Sequence, residues 1–133
     1  MKTGFIYIDN NIYDTLLAVS CEEQQRGLME HNWPPPIMSF IYPYPQNNKF
    51  WMHMTPSPLD IVFSKNGNIT QICHGKPFDT SIIGDDSLSD LVVEFPYGTV
   101  ISSKINIGNK IGLIKPTMAE LQTLITKKYS KFI

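Results

Sequence analysis

Leu59-Asp60-Ile61-Val62-Phe63-Ser64-Lys65-Asn66-Gly67-Asn68-Ile69-Thr70-Gln71-Ile72-Cys73-His74 decides the fold class. Two apolar runs flank an Asn-Gly pair. That pair is the strongest short-range hairpin signal, because both residues accept the positive φ of a tight turn. Strands are therefore expected over 60–64 and 69–74. Downstream, 76–90 carries Pro77, Gly84, Asp85, Asp86 and several serines and reads as a long loop. Leu91–Phe95 reads as a strand ended by Pro96-Tyr97-Gly98, and Lys110–Ile114 as a last short strand.

Upstream, Phe50–Thr55 reads as a strand of large side chains broken by Pro56 and Pro58. Alternation would put Phe50, Met52 and Met54 on one face and Trp51, His53 and Thr55 on the other, a pattern suited to a central strand packed on both sides. Ile37–Tyr42 is a further expected strand, closed by Pro43-Tyr44-Pro45 and a turn at Gln46-Asn47-Asn48. Trp33-Pro34-Pro35-Pro36 excludes helix and central strand and favours an extended polyproline segment. Ile12–Val19 reads as a strand and Phe5–Ile8 as an edge strand.

Two helices are expected. Ser20 followed by Glu23 is a capping box, Glu22 and Glu23 suit the dipole of a first turn, and Gly27 supplies a stop, so a short helix should run over 21–26. Thr117-x-x-Glu120 repeats the box, and Met118, Leu121, Leu124 and Ile125 follow helical spacing. That pattern predicts an amphipathic helix over 117–129, packed on the domain or meeting a partner. Many short strands punctuated by Pro and Gly, without long intervening helices, indicate a mainly β fold: a compact antiparallel β-sandwich or barrel-like domain.

The 133 residues match one domain in size, and 42 % hydrophobic residues suffice for a core. A net charge of −1 argues against a nucleic-acid partner, which needs a basic surface. No apolar run approaches a membrane span or the core of a signal peptide, so a cytoplasmic location is the default expectation. Cys21 and Cys73 form no CxxC pair and read as two free, largely buried thiols.

Three segments read together carry a resemblance. They are Ala18-Val19-Ser20-Cys21-Glu22-Glu23-Gln24-Gln25-Arg26-Gly27-Leu28-Met29, then Phe50-Trp51-Met52-His53-Met54-Thr55-Pro56-Ser57-Pro58-Leu59-Asp60-Ile61-Val62-Phe63, then Val92-Val93-Glu94-Phe95-Pro96-Tyr97-Gly98. In this order and spacing the chain resembles the domain-of-unknown-function 192 family. The resemblance covers about residues 12–114 and leaves 115–133 as a helical extension of a single domain, 1–133. It implies a compact, mainly antiparallel β-domain and names no activity. His53 and Met54 stand where that family usually has Lys and Asn, and Ile37-Met38-Ser39-Phe40 where it often has Gly-Met-Leu-Phe.

Asp60 and Glu94 are carboxylates in apolar strand contexts, and a buried carboxylate is costly unless paired. Arg26, whose planar guanidinium suits a carboxylate, is the expected partner of one or the other. The first functional reading is a non-catalytic binding or accessory module with a site of Arg26, Met29, Trp51, Thr55, Asp60 and Glu94. Arg26 would anchor a polar or anionic group, and Trp51 would offer a stacking surface. Two readings from other classes stay beside it: a hydrolase-like enzyme using Asp60 or Glu94 as general acid or base, and an interaction protein docking, or forming oligomers, through its C-terminal helix. No catalytic residue and no cofactor are assigned. Met52-His53-Met54 has soft-metal ligand types, but strand alternation would turn His53 away from both sulfurs, so no metal site is assigned either.

Overall fold

A computed structural model of the chain describes residues 1–114. The helix expected over 117–129 and the extension 115–133 lie outside the described residues. The strands are β1 (Lys2–Ile8), β2 (Asn11–Ala18), β3 (Met38–Gln46), β4 (Leu59–Lys65), β5 (Asn68–Gly75), β6 (Ser89–Pro96) and β7 (Ile111–Leu113). Two short helices are α1 (Cys21–Arg26) and α2 (Thr99–Ser102).

All seven strands belong to one sheet of order β5-β4-β6-β3-β2-β1-β7. The sheet curls into a half-barrel, and its two edges meet where Asn68 bridges Lys110. The fold is thus mainly β, as expected, but a single curled sheet and not a sandwich. One pair, β2 with β3, is parallel. The cause is the connection: α1 and the proline segment span residues 19–37, long enough for the crossover that a parallel neighbour requires. β1 lies between β2 and β7, so β7 and not β1 takes the edge.

The Asn-Gly reading holds. Asn66 and Gly67 have φ of 50° and 82° and join β4 to β5. The capping box on α1 is also formed, with the Glu23 N–H donating to Ser20 Oγ and the Ser20 N–H donating to Glu23 Oε1. Cys21 opens this helix, no residue of which is buried, so its thiol is exposed; Cys73 is half-buried and both are free.

Side chains alternate along the central strands and build two cores. Ile6, Ile8, Val62, Ile69, Val93, Phe95 and Ile111 come from edge and central strands alike and fill the inside of the curl, with Val100 of α2 plugging it. Met38, Phe40, Leu59, Ile61, Phe63 and Val92 face outward and are covered by Leu28 and Met52 from irregular segments. Among the described residues no helix is long and apolar enough to cross a membrane.

Candidate functional site

Glu94 occupies a position of β6 where alternation calls for an apolar residue. It lies opposite Met38 on one neighbour and Ile61 on the other. Its face is the outer one, under the loop that follows α1. Gly27 ends α1 with φ 50° and ψ −132°, and its N–H closes the helix on the Glu23 carbonyl at 2.9 Å. A Cβ at Gly27 would stand 3.5 Å from the Phe40 ring and 3.7 Å from Glu94 Oε1, so the backbone passes directly over the carboxyl. Gln24 fixes this arrangement by donating to the carbonyls of Ala18 at 3.1 Å and Ile41 at 2.9 Å.

The opposite wall comes from β3 and the irregular segment between β3 and β4. β3 pairs with β6 through Ile41, then shifts register before Gln46. Pro43 and Pro45 fall in that interval, where no ladder N–H is needed. Tyr42 opens the interval and continues the outward face of Met38 and Phe40. The expected strand at Phe50–Thr55 is not formed. Phe50 bridges Ile83, but the Thr55 N–H then turns back to the Met52 carbonyl at 3.1 Å, and Met54 adopts φ 53°. Pro56 and Pro58 remove the donors that a continuing ladder would use. Phe50 packs edge-on against Phe40 and Phe63, at 5.0 and 5.6 Å between ring centroids, and Met52 is fully buried. Trp51 is left 51 % exposed and stacks on His53 at 4.7 Å. The reading of a strand packed on both faces therefore fails: one side is core and the other is open.

These walls enclose an open cavity of about 660 Å³. Its lining includes Arg26, Met29, Trp51, Thr55 and Glu94, five of the six residues expected at a site. It also includes Gln24, Tyr42, Lys49 and His53, which sequence reading left out of the site. Outward alternation through Met38 and Phe40 was the available signal for Tyr42.

Asp60 is not in the cavity. Its side chain is 1 % exposed; Oδ1 lies 2.7 Å from His74 Nδ1, and Oδ2 accepts from the Gly98 and Val100 N–H groups at 3.0 and 2.9 Å. Both carboxylate oxygens of Asp60 are thus engaged in holding α2 and β5 in place. Arg26 pairs with neither expected carboxylate. Being in the last turn of α1, it reaches the Glu30 carboxylate one turn further on, at 3.4 Å, and that pair is largely exposed.

Glu94 is 4 % exposed, and no hydrogen-bond partner for its carboxyl is found among the described residues. Burial alone pushes its pKa up from 4.5 to about 8, so the carboxyl is mostly protonated at neutral pH. Burial, then the nearby Glu94, raises the Tyr42 phenol well above its ordinary range. The cavity thus presents an uncharged acid and a phenol on its floor and the cations Arg26 and Lys49 at its mouth. Among the described residues no group of three or more His, Cys, Asp or Glu side chains gathers in a way that would hold a metal.

A curled β-sheet with an open, half-apolar cavity over a buried acid defines a small β-domain with a candidate ligand site. The chain belongs to the domain-of-unknown-function 192 family (DUF192, "Uncharacterized ACR"), whose family model matches residues 6–113. It is similar to a crystal structure of a protein of unknown function from Novosphingobium aromaticivorans, with 24 % identity, a TM-score of 0.77, and coverage of 83 % of this chain and 84 % of that one. It is also similar to a Sinorhizobium meliloti protein described as a proposed transcription regulator, with 23 % identity, a TM-score of 0.77, and coverage of 84 % and 94 %. At these identities the likeness shows the fold. A search of curated proteins finds no significant match.

Proposed function

We propose that the domain is a non-catalytic binding module whose site is the cavity over Glu94. The supporting observation is a carboxyl 4 % exposed, unpartnered among the described residues and facing open space rather than packed protein. Among the described residues no fully buried side-chain polar atom lacks a partner, so the Glu94 oxygens are reached from the cavity, and a ligand there can hydrogen-bond to them in place of water. A concave site that combines apolar walls with a few convergent polar groups is the usual form of a small-molecule site, and this cavity, about half apolar, has both. Trp51 at the mouth gives a reporter. Saturable ligands should change the tryptophan emission of the wild type and leave Trp51→Phe unchanged, Trp33 being the remaining emitter. Iodide should quench Trp51 in the free protein. Failure of iodide to reach Trp51, together with silence across sugars, nucleotides, peptides and metal ions, would overturn the reading.

A second reading, an enzyme using Glu94 as general acid, draws on its raised pKa, because an acid protonated near pH 7 can donate a proton there. The hydrolase form of that reading has less support. Glu94 is the one carboxylate among the lining residues, whereas the two-carboxylate mechanism needs a facing pair. A regulator acting directly on DNA would need a basic surface, which a net charge of −1 does not favour.

A further inference from the structure

We propose that the cavity takes an anionic sugar: a ring bearing several hydroxyls and one carboxylate or phosphate. The inference rests on the binding-module reading above and deepens it. The floor sets the first requirement. Glu94 and Tyr42 both face the cavity, and no hydrogen bond of either side chain is found among the described residues. A flat aromatic ligand would cover both groups without satisfying them. A ligand rich in hydroxyls can both donate to and accept from each.

The lip sets the second. Trp51 has one face against His53, and with half of its surface open it offers the ring edge and other face to a ligand. An indole covers the C–H face of a ring-shaped ligand well, because it supplies a large apolar area that is rigid before binding. The mouth sets the third. The charged side chains of the lining, apart from Glu94, are Arg26 and Lys49, both cationic. The hydrogen bond from Arg26 to Glu30, 3.4 Å long, uses one of the five guanidinium N–H donors. The remaining fork suits a carboxylate or phosphate oxygen pair. Lys49 already holds Asp86 at 2.9 Å, so Arg26 is the better anchor. A cationic ligand would find no free carboxylate: Glu30 and Asp86 are held by Arg26 and Lys49, and Glu94 is mostly neutral.

The test is a calorimetric titration of the full chain with glucose, glucuronate, glucose 6-phosphate, phenylacetate and phenethylamine, repeated on Arg26→Met. Arg26 is exposed, so the substitution leaves the core untouched. Glucuronate or glucose 6-phosphate should bind at least ~10-fold more tightly than glucose, the usual minimum for a charge-assisted contact, and Arg26→Met should erase that preference. Which of the two binds tells carboxylate from phosphate. Equal binding of glucose, or an anion preference that survives Arg26→Met, would overturn the proposal. Binding of phenylacetate or phenethylamine without either sugar anion would overturn it too, while leaving the binding module standing. Silence from every compound would count against both.

Discussion

Replacing Glu94 by glutamine should flatten the pH dependence of folding stability. In the folded chain burial holds the proton on Glu94 up to about pH 8, whereas the unfolded chain releases it near 4.5. Between those values the folded state binds more protons than the unfolded state, so stability falls as pH rises. The contribution is fully present below 4.5, declines through the window and is gone above about 8. At ~1.4 kcal/mol per pH unit the whole interval corresponds to at most ~5 kcal/mol, an upper bound because the cavity admits water to the carboxyl. Glutamine keeps the size and hydrogen-bonding capacity of the protonated acid but cannot ionise. Urea unfolding at half-unit steps from pH 4.5 to 9, followed by far-ultraviolet circular dichroism, measures both proteins. Subtracting the two curves cancels every other titrating group, because the two proteins share them. The variant should match the wild type at the acid end and be the more stable protein at pH 9. Parallel curves across the range would refute an unpaired, buried Glu94.

Asp60 and Gly27 give two further tests. Asp60→Asn removes the charge that strengthens both backbone bonds on Oδ2 and the His74 contact on Oδ1, and should cost ~2–3 kcal/mol in urea unfolding while leaving ligand-induced tryptophan changes intact. A loss of binding with unchanged stability would place Asp60 in the site after all. Gly27→Ala forces a side chain into a φ of 50° and toward the Phe40 ring and Glu94. It should lower stability by ~1–2 kcal/mol, seen as a fall in melting temperature, and should weaken any ligand that reaches the acid.

Sequence reading recovered the elements written in local chemistry. The Asn66-Gly67 turn, the Ser20–Glu23 box and the strands on either side depend on neighbouring residues, so few alternatives compete. It went wrong where distant contacts decide. Phe50–Thr55 has the composition of a strand, yet the hydrogen bonds of Phe50 go to Ile83, and the Met52 N–H goes to the Asp79 carbonyl at 2.8 Å. Those partners lie in a loop whose path no local pattern reveals. The single sheet, in place of a sandwich, likewise depends on a distant contact, the parallel pairing of β2 with β3 that joins β7-β1-β2 to the other four strands. At the candidate site, sequence could mark two carboxylates as anomalous in apolar strands but could not tell their fates apart. The surroundings of Asp60 come from Gly98, Val100 and His74, and satisfy it. Those of Glu94 come from β3, β4 and the turn at Gly27, and leave it facing a cavity.

The protonation state of Glu94 can be read directly. With glutamate labelled at the side-chain carboxyl carbon and Glu94→Gln used to assign the signal, its ¹³C shift is followed from pH 4 to pH 10. The expected midpoint lies close to 8, displaced when a cavity ligand is bound. A midpoint among the ordinary glutamates, near 4.5, would mean that Glu94 is solvated or paired and that the cavity has no neutral acid at its floor.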